Sequence, residues 1–164
     1  MIASHVDDWM VIGDEVFEEE IASKLKDTFK LSKVETKSFK YCGCNVVIRE
    51  SGIIELDQND YIDTLELMEE LDGEDDRELN TREKKQVRGK IGELLWISLL
   101  TRPDLSFDVN LLSSQVSNGT VLTAKNINKL LKKAKKSRNI LRFSKLGDLS
   151  QLRVKKGSKT RNLV

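Results

Sequence analysis

The sequence predicts an α+β fold in which two β-hairpins and a packing helix precede an all-helical bundle. Short apolar and β-branched runs separated by turn residues dominate the first part of the chain, and apolar residues recur every three or four positions in the second. The 164 residues are 38% hydrophobic and 34% charged, which suits a helix-rich protein with a real core. We divide the chain into the hairpin region (1–71), an acidic linker (72–82), a helical region (83–146), and a strand-like connection with a basic tail (147–164).

The first hairpin is predicted at the very start of the chain. Two short, mostly apolar runs flank the adjacent acids Asp7 and Asp8, which we expect at the turn between two strands. Paired carboxylates at a tight turn can ligate a divalent metal, and Mg²⁺ prefers such hard oxygen ligands. A plain solvated turn is the simpler alternative, because aspartate is a common turn residue.

A helix, a second hairpin and a short helix are predicted next. We expect a helix over 15–30 that packs under the first hairpin, because apolar residues recur along one of its faces. Strand-forming residues over 38–56 are interrupted at 51–52, which predicts a second hairpin that turns there. Gly43, inside its first strand, permits a bulge or a close backbone approach. A short helix is expected over 59–70, and the acidic, aperiodic stretch after it is expected to be an exposed linker.

The second half of the sequence has the periodicity of three helices. We expect the first over 81–100 and the second to begin at Pro103, because proline suits the first turn of a helix. Thr123 is expected to cap a third helix, from 124 to about 143. Arg102 precedes the second helix, where a local ion pair is the simplest interpretation and a nucleic-acid contact is the alternative.

Charge is divided between the two halves of the chain. Residues 1–80 carry 8 Lys or Arg against 22 Asp or Glu, a formal charge of −14, whereas 81–164 carry 20 against 5, or +15. Five lysines of the third helix are candidate nucleic-acid contacts: Lys125, Lys129, Lys132, Lys133 and Lys136. A phosphate backbone would neutralise them and release its counterions. The alternative is that they serve solubility and attraction to the acidic half of the same chain.

Three short blocks carry a resemblance to a known family. The first is His5-Val6-Asp7-Asp8, the second is Phe39-Lys40-Tyr41-Cys42-Gly43, and the third combines residues 89–96 with Thr101-Arg102-Pro103-Asp104-Leu105-Ser106-Phe107-Asp108-Val109-Asn110. In this order and spacing they resemble copia-type retrotransposon reverse transcriptases. The first block is similar to the family's Tyr-x-Asp-Asp box in its His-Val-Asp-Asp form. The second is similar to the segment that usually reads Tyr-Leu-Gly, with Cys42 in place of leucine.

The resemblance implies an RNA-directed DNA polymerase of a Pol polyprotein. The two hairpins would belong to its palm and the helical region to its thumb. Asp7 and Asp8 would be catalytic residues that bind Mg²⁺, and Tyr41 and Gly43 would form the primer grip. The basic third helix would then follow the RNA/DNA template–primer duplex.

The resemblance also implies that the catalytic site is incomplete. The family uses three catalytic aspartates, the first of them well upstream of the box, and Met1 stands only six residues before Asp7. We therefore expect the chain to be inactive by itself and to need a separate fingers–palm segment as its partner.

Two other hypotheses remain open. The chain could be a non-enzymatic nucleic-acid-binding or interaction remnant of a transposon, or a plain α+β domain without a partner. Since the sequence has no signal-like segment and no long apolar run, we expect a protein inside the cell, cytoplasmic or nuclear, with no membrane partner.

Overall fold

A computed structural model of the chain describes residues 2–6, 8–13, 15–29 and 34–144. Asp7 and the predicted strand-like connection and basic tail at 147–164 lie outside these residues. The described chain contains helices and two antiparallel sheets, so the predicted α+β class is confirmed. Among the described helices, none is both long and apolar enough to cross a membrane.

The first sheet is the hairpin predicted at the start of the chain. Its strands are β1 (Ile2–His5) and β2 (Asp8–Val11), which pair antiparallel with His5 opposite Asp8. Val6 enters the turn with a φ of 51°, in the left-handed region that β-branched residues rarely adopt.

The helix after this hairpin is also confirmed, with one irregularity. It consists of α1 (Glu15–Phe17), a π-helical turn (Glu18–Ala22) and α2 (Ser23–Phe29). Trp9 of β2 packs against Phe29 with ring centroids 4.8 Å apart. The aromatic pair therefore holds the end of the helix against the hairpin.

The second sheet has four antiparallel strands in the order β3 (Ser38–Tyr41), β4 (Cys44–Ile48), β5 (Ile54–Asp57) and β6 (Leu141–Phe143). The turn predicted at 51–52 joins β4 to β5, so the second hairpin is confirmed. Val46 stands opposite both Phe39 and Leu56, and these apolar side chains share one face of the sheet.

The helical region contains α3 (Asn59–Thr64), α4 (Thr81–Leu100), α5 (Ser106–Gln115) and α6 (Val121–Lys136). As predicted, α4 spans 81–100, and a 3₁₀ turn that starts at Pro103 leads into α5. The helices bury a common core whose fully covered members are Val87, Leu94, Ile97, Leu105, Val109, Val121, Ile127, Leu131 and Ala134. The apolar stripes of the three long helices thus face one another.

The short helix α3 ends earlier than the sequence predicts, at Thr64 instead of near residue 70. Leu65 already has an extended backbone, with φ −66° and ψ 128°. Lys135 of α6 donates to three carbonyls there, at 3.2 Å for Ile62, 2.9 Å for Asp63 and 2.7 Å for Leu65. The lysine satisfies carbonyls that another helical turn would otherwise use.

The acidic stretch after α3 is exposed as predicted, but it is not a free linker. Leu79 is buried in the core. At the start of α6, the amides of Val121 and Leu122 donate to the carbonyls of Arg77 and Asp75, each at 3.0 Å. The first amides of a helix lack intrahelical acceptors, so the acidic stretch completes the N-terminus of α6.

The third predicted helix is displaced at both ends. Its N-cap is Thr120, not Thr123, which instead supplies the third position of a capping box. It stops at Lys136, and Ser137 is extended. The expected helical end at 141–143 is the edge strand β6, paired with β5.

Two arginines on either side of Glu55 tie β6 and the β4–β5 turn together. Glu55 stands opposite Arg142 and accepts from its Nε at 2.9 Å, and it also bonds the guanidinium of Arg49. The hydrogen bond from Arg49, followed by that from Arg142, lowers the pKa of Glu55 below its ordinary value of 4.5.

The stability that Glu55 contributes should therefore depend on pH. A carboxylate with a lowered pKa stabilises the folded state above its unfolded pKa, and this contribution is lost as the pH falls through the lowered value. We expect the melting temperature of the wild type to exceed that of Glu55→Gln at neutral pH, and the difference to shrink below about pH 4.5. Thermal unfolding of both proteins across this range tests the prediction. A difference that does not change with pH would contradict it.

Candidate functional site

Of the two aspartates predicted to bind Mg²⁺, the structure describes the backbone of Asp8. The backbone of Asp8 opens β2 opposite His5, at the end of the turn. Asp7, the other predicted ligand, falls outside the described residues. Within 2–6, 8–13, 15–29 and 34–144, no three His, Cys, Asp or Glu side chains are grouped so that they could hold a metal. The metal site therefore stays a prediction from the sequence.

The residues predicted to grip a primer lie at the turn between β3 and β4. Tyr41 ends β3 and is half-buried, opposite Cys44. The sequence predicts Gly43 inside a strand. In the structure it lies in a two-residue turn with Cys42. Their φ values are 50° for Cys42 and 74° for Gly43. Left-handed conformations at both positions match the twist of the paired strands and are typical of tight hairpin turns.

Trp96 of α4 lies beneath this turn. A Cβ atom on Gly43 would stand 3.4 Å from Cζ2 of Trp96 and 3.7 Å from its Nε1. The Trp96 side chain is 43% exposed, so part of its ring faces solvent beside the turn. The sequence does not predict Trp96 as a site residue, because helical periodicity carries no information about a contact with a turn far away in the chain.

The turn should be sensitive to substitution at Gly43 but not at Cys42. Gly43→Ala forces an L-residue into a left-handed conformation and should lower the free energy of unfolding by about 1–2 kcal/mol. The added methyl group would only touch Trp96, so strain in φ accounts for the loss. Cys42→Gly should leave stability unchanged or raise it, because glycine adopts this conformation freely. Chemical denaturation of both variants checks this, and equal losses would contradict it.

The candidate lysines of α6 divide into paired and unpaired groups. Lys125 pairs with Asp75 at 2.8 Å, and Lys133 pairs with Asp108 at 3.0 Å. Lys129, Lys132 and Lys136 are exposed and make no ion pair within the described chain. Only Asp75 belongs to the acidic half of the chain, so attraction between the halves accounts for Lys125, whereas Asp108 of α5 neutralises Lys133.

The unpaired lysines form a stripe along α6. The i, i+3 and i+7 spacing of Lys129, Lys132 and Lys136 places them on one side of the helix. At a rise of about 1.5 Å per residue, the stripe is about 10 Å long. Such a row of uncompensated cations attracts a polyanion.

Arg102 is a structural residue and does not face nucleic acid. Its side chain has no solvent exposure, and its guanidinium forms two bonds with Asp104, Nε to Oδ1 and Nη2 to Oδ2, both 2.9 Å. Its Nη1 donates to the carbonyls of Ala134 at 3.0 Å and Ser137 at 2.8 Å. The hydrogen bonds from Arg102 lower the pKa of Asp104. The predicted local ion pair is confirmed, and burial rules out the alternative nucleic-acid contact.

Protein-family models, curated proteins and solved structures all gave no match. The assignment of function therefore depends on the sequence blocks and on the geometry of the hairpins and of α6.

Proposed function

We propose that this chain is part of a copia-type retrotransposon reverse transcriptase, an RNA-directed DNA polymerase of a Pol polyprotein. The observation that carries the proposal is the order and spacing of the three sequence blocks. The fold supports it, because the first block lies at a hairpin, the second at the β3–β4 turn and the third where α4 leads into α5. The first two blocks thus lie at turns, where loop residues commonly carry function, whereas Arg102 in the third block supports the fold.

In this proposal the first hairpin contributes to a metal site. Asp7 and Asp8 supply carboxylate oxygens, the donors that Mg²⁺ prefers. Bound Mg²⁺ supplies Lewis-acid stabilisation of charge on the phosphate that is transferred. The role of the hairpin is to hold Asp8, and with it the adjacent residue Asp7 of the sequence, next to a paired strand.

The β3–β4 turn and α6 would position the nucleic acid. Gly43 has no side chain, so a primer strand can approach the backbone of the turn closely there, beside the half-exposed ring of Trp96. The stripe Lys129, Lys132 and Lys136 would contact phosphates of the template–primer duplex. Such contacts fix the position of a duplex without reading its sequence.

Reconstitution of the polymerase tests this function. A fingers–palm segment of a copia-type polymerase is added, and incorporation of labelled nucleotides is measured on a DNA primer and RNA template with Mg²⁺. We expect activity only when both pieces are present, and we expect Asp7→Asn and Asp8→Asn to abolish it. Asp27→Asn, at an exposed acid of α2, is the matched control and should retain activity. Activity that survives Asp7→Asn would contradict the proposal.

A second candidate function is non-enzymatic binding of nucleic acid. The observation that favours it is the unpaired lysine stripe, which needs neither metal nor hairpin. Salt-dependent binding of a duplex that is unaffected by Mg²⁺, together with failure of the reconstitution, would support this candidate over the polymerase.

A further inference from the structure

A partly apolar groove runs between α5 and α6. It has a volume of about 260 Å³, and Leu111, Leu112 and Leu130 form its apolar part. Leu111 is 49% exposed, and Phe107, one helical turn earlier, is 77% exposed. Phe107 and Leu111 are four positions apart on α5, so their exposed side chains are neighbours. Contiguous exposed apolar side chains mark interaction surfaces in soluble proteins.

The charges around this α5–α6 groove favour an acidic occupant. Lys129 and Lys133 of α6 line it, and Asp108 is its single acid. Because Asp108 is already paired with Lys133 at 3.0 Å, Lys129 remains uncompensated. The groove therefore suits an apolar side chain flanked by carboxylates.

The same chain presents a segment with this chemistry, which we call the acidic ridge (residues 66–70). Leu67 is 42% exposed, and Glu66, Glu69 and Glu70 beside it are exposed as well. Two hydrogen bonds between Met68 and Asn128 of α6 also fix the backbone of the ridge. The Met68 amide donates to Oδ1 of Asn128 at 2.8 Å, and Nδ2 of Asn128 donates to the Met68 carbonyl at 2.9 Å. A segment ordered before binding loses less entropy when it docks.

The acidic ridge cannot reach the groove of its own molecule. Asn128 holds the ridge, whereas Asn126 lines the groove. Two positions along a helix correspond to a rotation of about 200° around its axis, so these two side chains point in nearly opposite directions. The ridge and the groove therefore lie on opposite sides of α6. An intermolecular contact is the one way to bring them together.

We propose that copies of this chain associate head to tail, with the acidic ridge of one copy in the α5–α6 groove of the next. Leu67 packs against Leu111, and the ridge glutamates face Lys129. The two surfaces differ, so the contact is heterologous and adds copies in a row unless the geometry closes a ring. The formal net charge of +1 leaves little overall repulsion between copies. The proposal does not depend on the polymerase function.

Sedimentation velocity of the full chain tests the association. For the wild type we expect the sedimentation coefficient to increase with protein concentration at about 50 mM salt and to fall toward the monomer at about 500 mM. Leu67→Ser removes the ridge anchor and Leu111→Ser removes the groove anchor, and each should weaken association at least about tenfold. Both side chains are partly exposed, and circular dichroism verifies that the variants fold.

Mixing the two variants distinguishes a head-to-tail contact from other assemblies. The Leu67→Ser protein retains an intact groove and the Leu111→Ser protein an intact ridge, so an equimolar mixture should form a 1:1 dimer and nothing larger. A monomeric wild type at low salt would overturn the proposal, even if its groove binds a duplex DNA oligonucleotide or an acidic peptide. So would a mixture that stays monomeric, or a variant that assembles as the wild type does.

Discussion

Arg102→Met is expected to lower the free energy of unfolding by about 3–5 kcal/mol. Methionine fills part of the space but offers no donors, so the carbonyls of Ala134 and Ser137 at the end of α6 lose their partner. Asp104 loses both of its guanidinium bonds. A loss of this size is a large fraction of the stability of an ordinary domain.

Two matched substitutions show whether burial is the cause. Arg102→Lys keeps the charge but cannot form the planar fork, so it should remain strongly destabilising. Arg138→Met removes an arginine of the exposed pair with Asp63 and should cost no more than about 1 kcal/mol. Urea denaturation followed by circular dichroism measures all three. A cost for Arg102→Met no larger than that for Arg138→Met would show that Arg102 does not hold the helical region together.

Lys132→Gln/Lys136→Gln is expected to weaken duplex binding and to flatten its dependence on salt. Each phosphate contact contributes about 0.9 to the slope of log affinity against log salt concentration, so losing two should reduce the slope by about 2. The loss should be similar for duplexes of different sequence, because phosphate contacts carry no sequence information. Fluorescence anisotropy with a labelled RNA/DNA duplex, titrated at several salt concentrations, measures both quantities.

Lys125→Gln/Lys133→Gln is the control with the same change in net charge. These lysines already pair with Asp75 and Asp108, so they release fewer counterions from a duplex. The slope should therefore change much less than for Lys132→Gln/Lys136→Gln. Equal effects of the two double variants would mean that binding follows net charge and that no specific stripe exists. Neither double variant changes Lys129, the lysine of the α5–α6 groove that makes no ion pair in the described chain.

The contrast between Arg102 and the α6 lysines shows which parts of a candidate site a sequence can reveal. Arg102 and Asp104 are two residues apart, so their ion pair is local and predictable. The same guanidinium also caps α6, through carbonyls 32 and 35 residues away in the chain. Sequence periodicity does not predict contacts over such separations. Likewise, the basic face of α6 is readable from spacing, but its neutralisation at Lys125 and Lys133 depends on acids 50 and 25 residues away.

The sequence alone determined the α+β class, both hairpins, the extent of α4 and the start of the next helix at Pro103. These features depend on local periodicity and on the turn preferences of glycine, proline and aspartate. The tertiary structure decided the early end of α3, the docking of the acidic stretch on α6 and the change from helix to strand at β6. In each case a distant partner, such as Lys135 for the carbonyls of α3 or β5 for β6, supplied hydrogen bonds that outweighed the local preference.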